Sequence, residues 1–343
     1  MTQPAAVPAA GRGKGPSHRR DQQNGAPAVS PSKPRTALLL LVLLAVAVAA
    51  VYSREHNGFD LKGSLVPVDE IHLGGPARDG IPAIDRPKFV SARDADFLEP
   101  DDPVLGLARG GVTKAYPIAI MNWHEIVNDR LGGEPVAVTY CPLCGTGVAF
   151  AAQAKGRDLR FGVSGLLYNS DVLLFDRETE SLWSQIRKQA ITGPMKGEKL
   201  TALPLTHTTW KAWRQAHPET RVLSTDTGFR RDYGRDPYAG YAGESGLYFP
   251  VRAESARYHP KERVLGLEID GRFKAYPFAE LSRTGQVELK DRFAGRQIRV
   301  RFDAANESAQ AFDADGNQLA GIVGFWFAWF AFHPETEVFT AVP

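Results

Sequence analysis

One segment of fourteen residues occurs twice in this 343-residue chain, and that repeat limits what the chain can fold into. Residues 104–117 read VLGLARGGVTKAYP and residues 264–277 read VLGLEIDGRFKAYP, an offset of 160 residues. The match continues beyond them: Val136-Ala-Val138-Thr-Tyr140 faces Ile298-Arg-Val300-Arg-Phe302, and Ala149-Phe150 faces Ala311-Phe312. Between these landmarks the first copy holds NWHEIVND and YCPLCGTG, where the second holds SRTGQVELKD and FDAANESA. A unit that must fold twice keeps its scaffold residues in both copies. Residues present in one copy alone are therefore candidates for function.

Each copy opens with a hairpin pattern. Val104–Leu107 and Val112–Tyr116 meet at Gly110-Gly111; Val264–Ile269 and Phe273–Tyr276 meet at Asp270-Gly271, both strong two-residue turn signals. Pro117 and Pro277 suit the first turn of a short helix. In the first copy Ile120, Trp123 and Val127 mark one face of that helix. Strands follow at 135–140 and 147–152 with the cysteine turn between them. DVLLFDRETESLW (171–183) reads as a hairpin turning at 176–179, with FAFHPETEVF (330–339) as its counterpart. GIVGFWFAWFAF (321–332) is too short to span a bilayer, aligns with GVSGLLYNSDVLLF, and reads as buried strand. TTWKAWRQAHPET (208–220) reads as an amphipathic helix packing Trp210 and Trp213 on the core. RRDYGRDPYAGY (230–241) is a polar aromatic loop of the kind that lines sites. The expected fold is α+β: mainly antiparallel β with short helices, in two related halves in pseudo-symmetric arrangement. Repeat one is placed at 104–183, an insert at 184–263 and a degenerate repeat two at 264–339.

Residues 1–35 are rich in Pro, Ala, Gly, Ser and Gln without apolar periodicity and read as a disordered basic cytoplasmic tail. The run from Ala37 to Tyr52 has no charged residue. Residues 36–53 are therefore expected to form one N-terminal membrane helix, a signal anchor, with Ala47-Val48-Ala49 as a competing cleavage site. Either reading puts the folded domain, 60–343, outside the cytoplasm, in the periplasm or at the cell surface. The expected partners are the membrane, through that helix, and a protein or small molecule that the sequence does not identify. A net charge of +2, with much of the basic excess in the tail, argues against nucleic acid.

Two cysteines occur, Cys141 and Cys144, and they form one Cys-x-x-Cys followed by glycine. That spacing places two sulfurs on one ion at about 2.3 Å, and the glycine permits a positive φ, as in the knuckles of rubredoxins and zinc ribbons. One knuckle is half a site, so other ligands are needed. His124, on the helix beside the cysteine hairpin and replaced by Thr284 in the second copy, is the leading third ligand. Glu125, Asp129, Asn169, Ser170 and Asp171 are secondary candidates, and Asn122 is placed to orient His124. YNSD (168–171) is set against the apolar FAWF (327–330) of the second copy. Lys114, Tyr116 and Pro117 recur as Lys274, Tyr276 and Pro277 and are scaffold. The expected cofactor is one copper or zinc ion, serving metal handling or metal-assisted chemistry. A thiol–disulfide oxidoreductase and a non-catalytic binding module with a structural disulfide stand as alternatives. No GxSxG, Walker loop or GxGxxG occurs.

The blocks GGPARDGIPAID, KAYPIAIMNWHEIVND, PVAVTYCPLCGTG, GVSGLLYNSD, ETESLWSQ and RDYGRDPYAGY, in that order, resemble a bacterial family catalogued as a domain of unknown function, DUF3179. The resemblance covers most of the chain after residue 65. It implies a membrane-associated or exported setting, and His124, Cys141 and Cys144 fall within its blocks.

Overall fold

The computed structural model describes residues 56–341 and, ahead of them, residues 38, 39, 42 and 43. Those four are helical and exposed. The rest of the expected tail and anchor lies outside the described residues. No helix among the described residues is long and apolar enough to cross a membrane.

The folded region is built from mainly antiparallel sheets with a few short helices, an α+β architecture. The hairpins form where the turn chemistry placed them. Pro103–Arg109 pairs with Val112–Pro117, and Arg263–Ile269 pairs with Arg272–Pro277. Gly110 and Gly111 have φ of 59° and 76°, and Asp270 and Gly271 have 51° and 75°, as a type I′ turn requires. Each hairpin leads through its proline into a short helix. These are α1 (Ile118–His124) in the first case and, later in the chain, Phe278–Arg283. Helix α1 is shorter than its apolar spacing suggested: Ile120 is buried in it, but Val127 lies in the next strand, Ile126–Leu131. That strand continues the chain into Glu134–Cys141 and Thr146–Ala151; the second run continues into Glu288–Phe293, Arg296–Asp303 and Ser308–Phe312.

The next correspondence corrects the sequence reading. Residues 326–332 are a helix, not a buried strand. Helix α2 (Trp210–Ala216) connects Leu205–Thr209, antiparallel to the first hairpin, to Arg221–Leu223, parallel to it on the other side. With Phe278–Arg283 as α3, helix α4 (Trp326–Phe332) connects Ile322–Phe325 to Glu337–Val338 on the second hairpin in the same two senses. The counterpart of 321–339 is therefore 205–223 rather than 162–183. Both helices press an indole onto a hairpin glycine. A Cβ on Gly106 would sit 2.2 Å from the Trp213 ring, and one on Gly266 would sit 2.2 Å from Trp329. Helix α4 buries Trp326, Phe327, Ala328, Trp329 and Ala331, so it lacks the polar face that would have marked it as helical.

Between Thr146–Ala151 and Leu205–Thr209 the first run carries about fifty residues that the second replaces with a short link. This segment supplies the long hairpin Phe161–Tyr168/Asp171–Asp176 and the strand Leu182–Ser184. The expected turn after Asp176 is present, with Asp176 accepting from Thr179 N at 2.6 Å and Trp183 Nε1 at 2.8 Å. The two runs share one eight-stranded sheet, joined where Ile322–Phe325 pairs with Thr146–Ala151 at Val323 and Gly147.

Candidate metal centre

Strand Glu134–Cys141 runs straight into the cysteine turn and returns as Thr146–Ala151, with Cys141 opposite Thr146 in register. The turn is closed by Cys144 N donating to Cys141 O at 3.2 Å, and Gly145 takes φ of 60°. The matching turn of the second run has Asp303 at the place of Cys141 and Asn306 at that of Cys144. There the Asp303 carboxylate accepts from Asn306 N at 3.2 Å and Asn306 Nδ2 at 2.7 Å. One backbone turn thus carries a hydrogen-bonded Asp/Asn pair in one run and two thiols in the other.

The thiols face the tip of the long hairpin. Asn169 and Ser170 form its two-residue turn, both left-handed, with φ of 52° and 64°. Ser170 O accepts from Cys144 Sγ at 3.3 Å and from Cys141 Sγ at 3.9 Å. The next residue, Asp171, brings its carboxylate to the sulfurs. The Cys141, Cys144 and Asp171 ligand atoms all lie within 4.8 Å of one another, and all three residues are buried. Asp171 Oδ2 also accepts from Ile186 N at 3.2 Å. Thr146, whose Oγ1 lies 3.5 Å from Asp171 Oδ1, makes its shorter hydrogen bond to Gln185 Oε1 at 2.7 Å, and Gln185 Nε2 donates to Thr139 Oγ1 at 2.8 Å. Both cysteines are free thiols. Among the described residues, the buried Ser170 Oγ has no hydrogen-bond partner.

Burial dominates the electrostatics. Desolvation raises the Cys141 thiol and lifts that of Cys144 well above its ordinary value, with Asp171 adding to both. Desolvation also raises Asp171 to about 7, against hydrogen bonds from Ile186 and the thiols. Glu125, at the end of α1, is raised to about 8 by burial and then by the charge of Asp171. Near neutral pH these groups hold protons that a cation would displace.

His124 stands apart from this group. Its Nδ1 is 2.7 Å from Pro82 O and its Nε2 is 2.7 Å from Tyr233 OH. A carbonyl can only accept, so Nδ1 carries the proton and Nε2 accepts from Tyr233, whose hydroxyl also meets Thr227 Oγ1 at 2.6 Å. Both ring nitrogens are thus occupied. Asn122 does not orient His124 either: its Nδ2 donates to Asp236 Oδ1 at 3.0 Å. Trp123 Nε1 donates to Arg235 O at 3.1 Å. Asn122, Trp123 and His124 together hold the 227–241 loop, which lays Tyr238 and Tyr241 near the thiols; the charges of Cys144 and Cys141 add to burial in raising Tyr241. Asp129 is also removed from the site, because it accepts from Lys114 and Tyr116 at 2.7 Å. Asn169 accepts from Arg252 N at 2.8 Å and donates to Ala331 O at 3.2 Å, a role in fixing the hairpin tip.

Of the residues singled out from sequence, Cys141, Cys144 and Asp171 come together and Ser170 touches them through its carbonyl; Glu125 is held by its backbone carbonyl to Tyr140 N, beside Cys141. The Tyr238 and Tyr241 cover was signalled only by the polar aromatic character of its loop. No curated protein and no solved structure matches this chain. Residues 78–336 match the family described as "Protein of unknown function (DUF3179)", a span that contains every residue of the site. The chain is a member of the DUF3179 family.

Proposed function

We propose that the folded domain binds one metal ion through Cys141, Cys144 and Asp171, and that two halves related by pseudo-symmetry divide the labour, one holding the ion and the other bracing it. The convergence of two thiols and a carboxylate within 4.8 Å in a buried position carries this reading. That spread suits an ion with sulfur at about 2.3 Å and carboxylate oxygen at about 2.0–2.2 Å. The carboxylate is a hard donor, so the set favours zinc(II) over copper(I), which prefers all-soft ligands. The role is metal handling or metal-assisted chemistry, in a domain anchored to the outer face of a membrane by the apolar N-terminal segment.

The thiol–disulfide reading draws less support. An exchanging cysteine is accessible and kept partly as thiolate by a helix N-terminus or a cation. Here Cys141 and Cys144 are 2% and 0% exposed, their thiols are raised, and a strand follows the turn. The test is metal analysis of the reduced full chain after reconstitution with zinc and with copper(I), beside Cys141→Ser and Asp171→Asn. One zinc per chain, lost in both variants, is the expected result. Equal metal content in wild type and Cys141→Ser would overturn the proposal.

A further inference from the structure

The tip of the long hairpin offers the sulfurs a second atom besides the Asp171 carboxylate. Asn169 and Ser170, both left-handed, make a type I′ turn between Tyr168 and Asp171, which pair as the last rung of the hairpin. The Ser170 carbonyl lies outside that ladder, and among the described residues no backbone N–H donates to it. Its oxygen meets the thiols instead, 3.3 Å from Cys144 Sγ and 3.9 Å from Cys141 Sγ.

Those distances suit a shared ion. A tetrahedral ion with sulfur at about 2.3 Å and oxygen at about 2.1 Å sets each sulfur about 3.6 Å from each oxygen. The two separations from Ser170 O fall on either side of that value. Charge also favours a neutral fourth donor. Once deprotonated, Cys141, Cys144 and Asp171 carry one more negative charge than a divalent ion can match. All three are buried, so a further anion would add unmatched charge to a poorly solvated place, whereas a carbonyl adds none. The second run supplies the contrast. Its matching turn holds Asp303 and Asn306, bonded to each other, and it has no long hairpin to face.

We propose that the Ser170 carbonyl oxygen is the fourth donor to the ion, closing the site with two sulfurs from the cysteine turn and two oxygens from the hairpin tip. This rests on the metal reading above. On binding, zinc(II) takes the place of the protons held by the thiols and Asp171, which leave to solvent. Ser170 O then exchanges its thiol hydrogen bonds for a bond to the ion. Four protein donors leave a tetrahedral ion no position for water or substrate, the mark of a structural rather than a catalytic site. The ion is a staple that ties the hairpin, which the second run lacks, to the cysteine turn.

Ser170–Asp171 is the only Ser-Asp step in the chain. Labelling serine with carbon-13 at the carbonyl and aspartate with nitrogen-15 therefore gives a single carbonyl–amide NMR correlation, followed while the reduced full chain is titrated with zinc(II). Coordination moves the Ser170 carbonyl carbon downfield; loss of the thiol hydrogen bonds without coordination moves it upfield. A downfield shift that saturates at one zinc per chain is expected. An upfield shift or none, with zinc binding still dependent on Cys141, would overturn this inference alone. The visible spectrum of the cobalt(II)-loaded chain is expected to ignore added azide, and an azide-dependent band would reveal an open position and sink the closed site. Ser170→Gly removes the hydroxyl, keeps the carbonyl and should bind zinc as wild type does. A loss of about tenfold or more would make the hydroxyl the donor instead. Equal zinc binding in wild type and Cys141→Ser would remove the metal reading and this inference with it.

Discussion

Asp129 shows how a single residue is assigned to scaffold or to site. It lies near the cysteine hairpin and has the chemistry of a ligand, yet its carboxylate is 2.7 Å from Lys114 Nζ and 2.7 Å from Tyr116 OH. The second run repeats the arrangement, with Asp291 2.6 Å from Lys274 Nζ and 2.8 Å from Tyr276 OH. The Lys114 and Asp129 side chains are 12% and 7% exposed, so removing one partner strands the other in a poorly solvated place. Asp129→Ala should therefore cost about 3–5 kcal/mol in urea denaturation. The double change Lys114→Met, Asp129→Leu should cost clearly less, and the metal content of the double variant should stay at the wild-type value. A single variant no less stable than wild type would show that the pair contributes nothing. The two thiols and Asp171 were legible at this scale because each lies in a short polar block with an unusual local pattern. The role of His124 was not legible: its partner Tyr233 returns 109 residues later, and a lone histidine carries no mark of whether its nitrogens are already taken.

At the scale of elements, the closest constraint is the seat of each tryptophan on its hairpin. Trp213 and Trp329 each donate from Nε1 to a threonine hydroxyl at 2.9 Å, Thr220 and Thr336, which fixes the indole plane over Gly106 and Gly266. Gly106→Ala and Gly266→Ala should each destabilise by about 1–3 kcal/mol through overpacking, measured as a shift in denaturation midpoint at constant slope. A neutral result at both positions would mean the rings move aside freely. Hairpins were legible in the sequence because their turns are encoded locally, in Gly-Gly and Asp-Gly. Helix α4 was not, because it is apolar on nearly every face and so has no helical period to read. Its identity was present in another form. Trp210, Ala212, Trp213, His217, Pro218, Glu219 and Thr220 recur as Trp326, Ala328, Trp329, His333, Pro334, Glu335 and Thr336. Aligning 321–332 with the long hairpin instead obscured this pattern and paired the Asn169–Asp171 turn with residues that are not its counterpart. The hairpin tip belongs to a segment with no equivalent in the second run, and that segment brings Asp171 to the cysteines.

For the whole molecule, the buried acids make folding and metal binding depend on pH in opposite directions. Asp171 and Glu125 are raised to about 7 and about 8 in the folded chain, against values near 4 for exposed carboxyls. Between pH 4 and 8 the unfolded chain has released these protons while the metal-free native chain keeps them. Their contribution to stability is therefore full below about pH 4 and is lost as pH rises through 7 and 8. Asp291 has the opposite sign. Burial would raise it, but hydrogen bonds from Lys274 and Tyr276 outweigh that and lower it, so its contribution is present above about pH 4 and is lost as acid protonates it. The metal-free protein should thus be most stable in mildly acidic solution, with a melting temperature that falls from pH 5 to pH 8 in the presence of chelator. A bound divalent ion needs Asp171 and the two thiols deprotonated, so its stabilisation should grow as pH rises. Thermal melts of the full chain at pH 5, 6, 7 and 8, with chelator or with excess zinc, measure both trends. The gap between the two curves should widen steadily toward pH 8 and should close in Cys141→Ser. A constant gap across the range would mean that zinc displaces no protons from Asp171 or the thiols, and the ion would bind elsewhere.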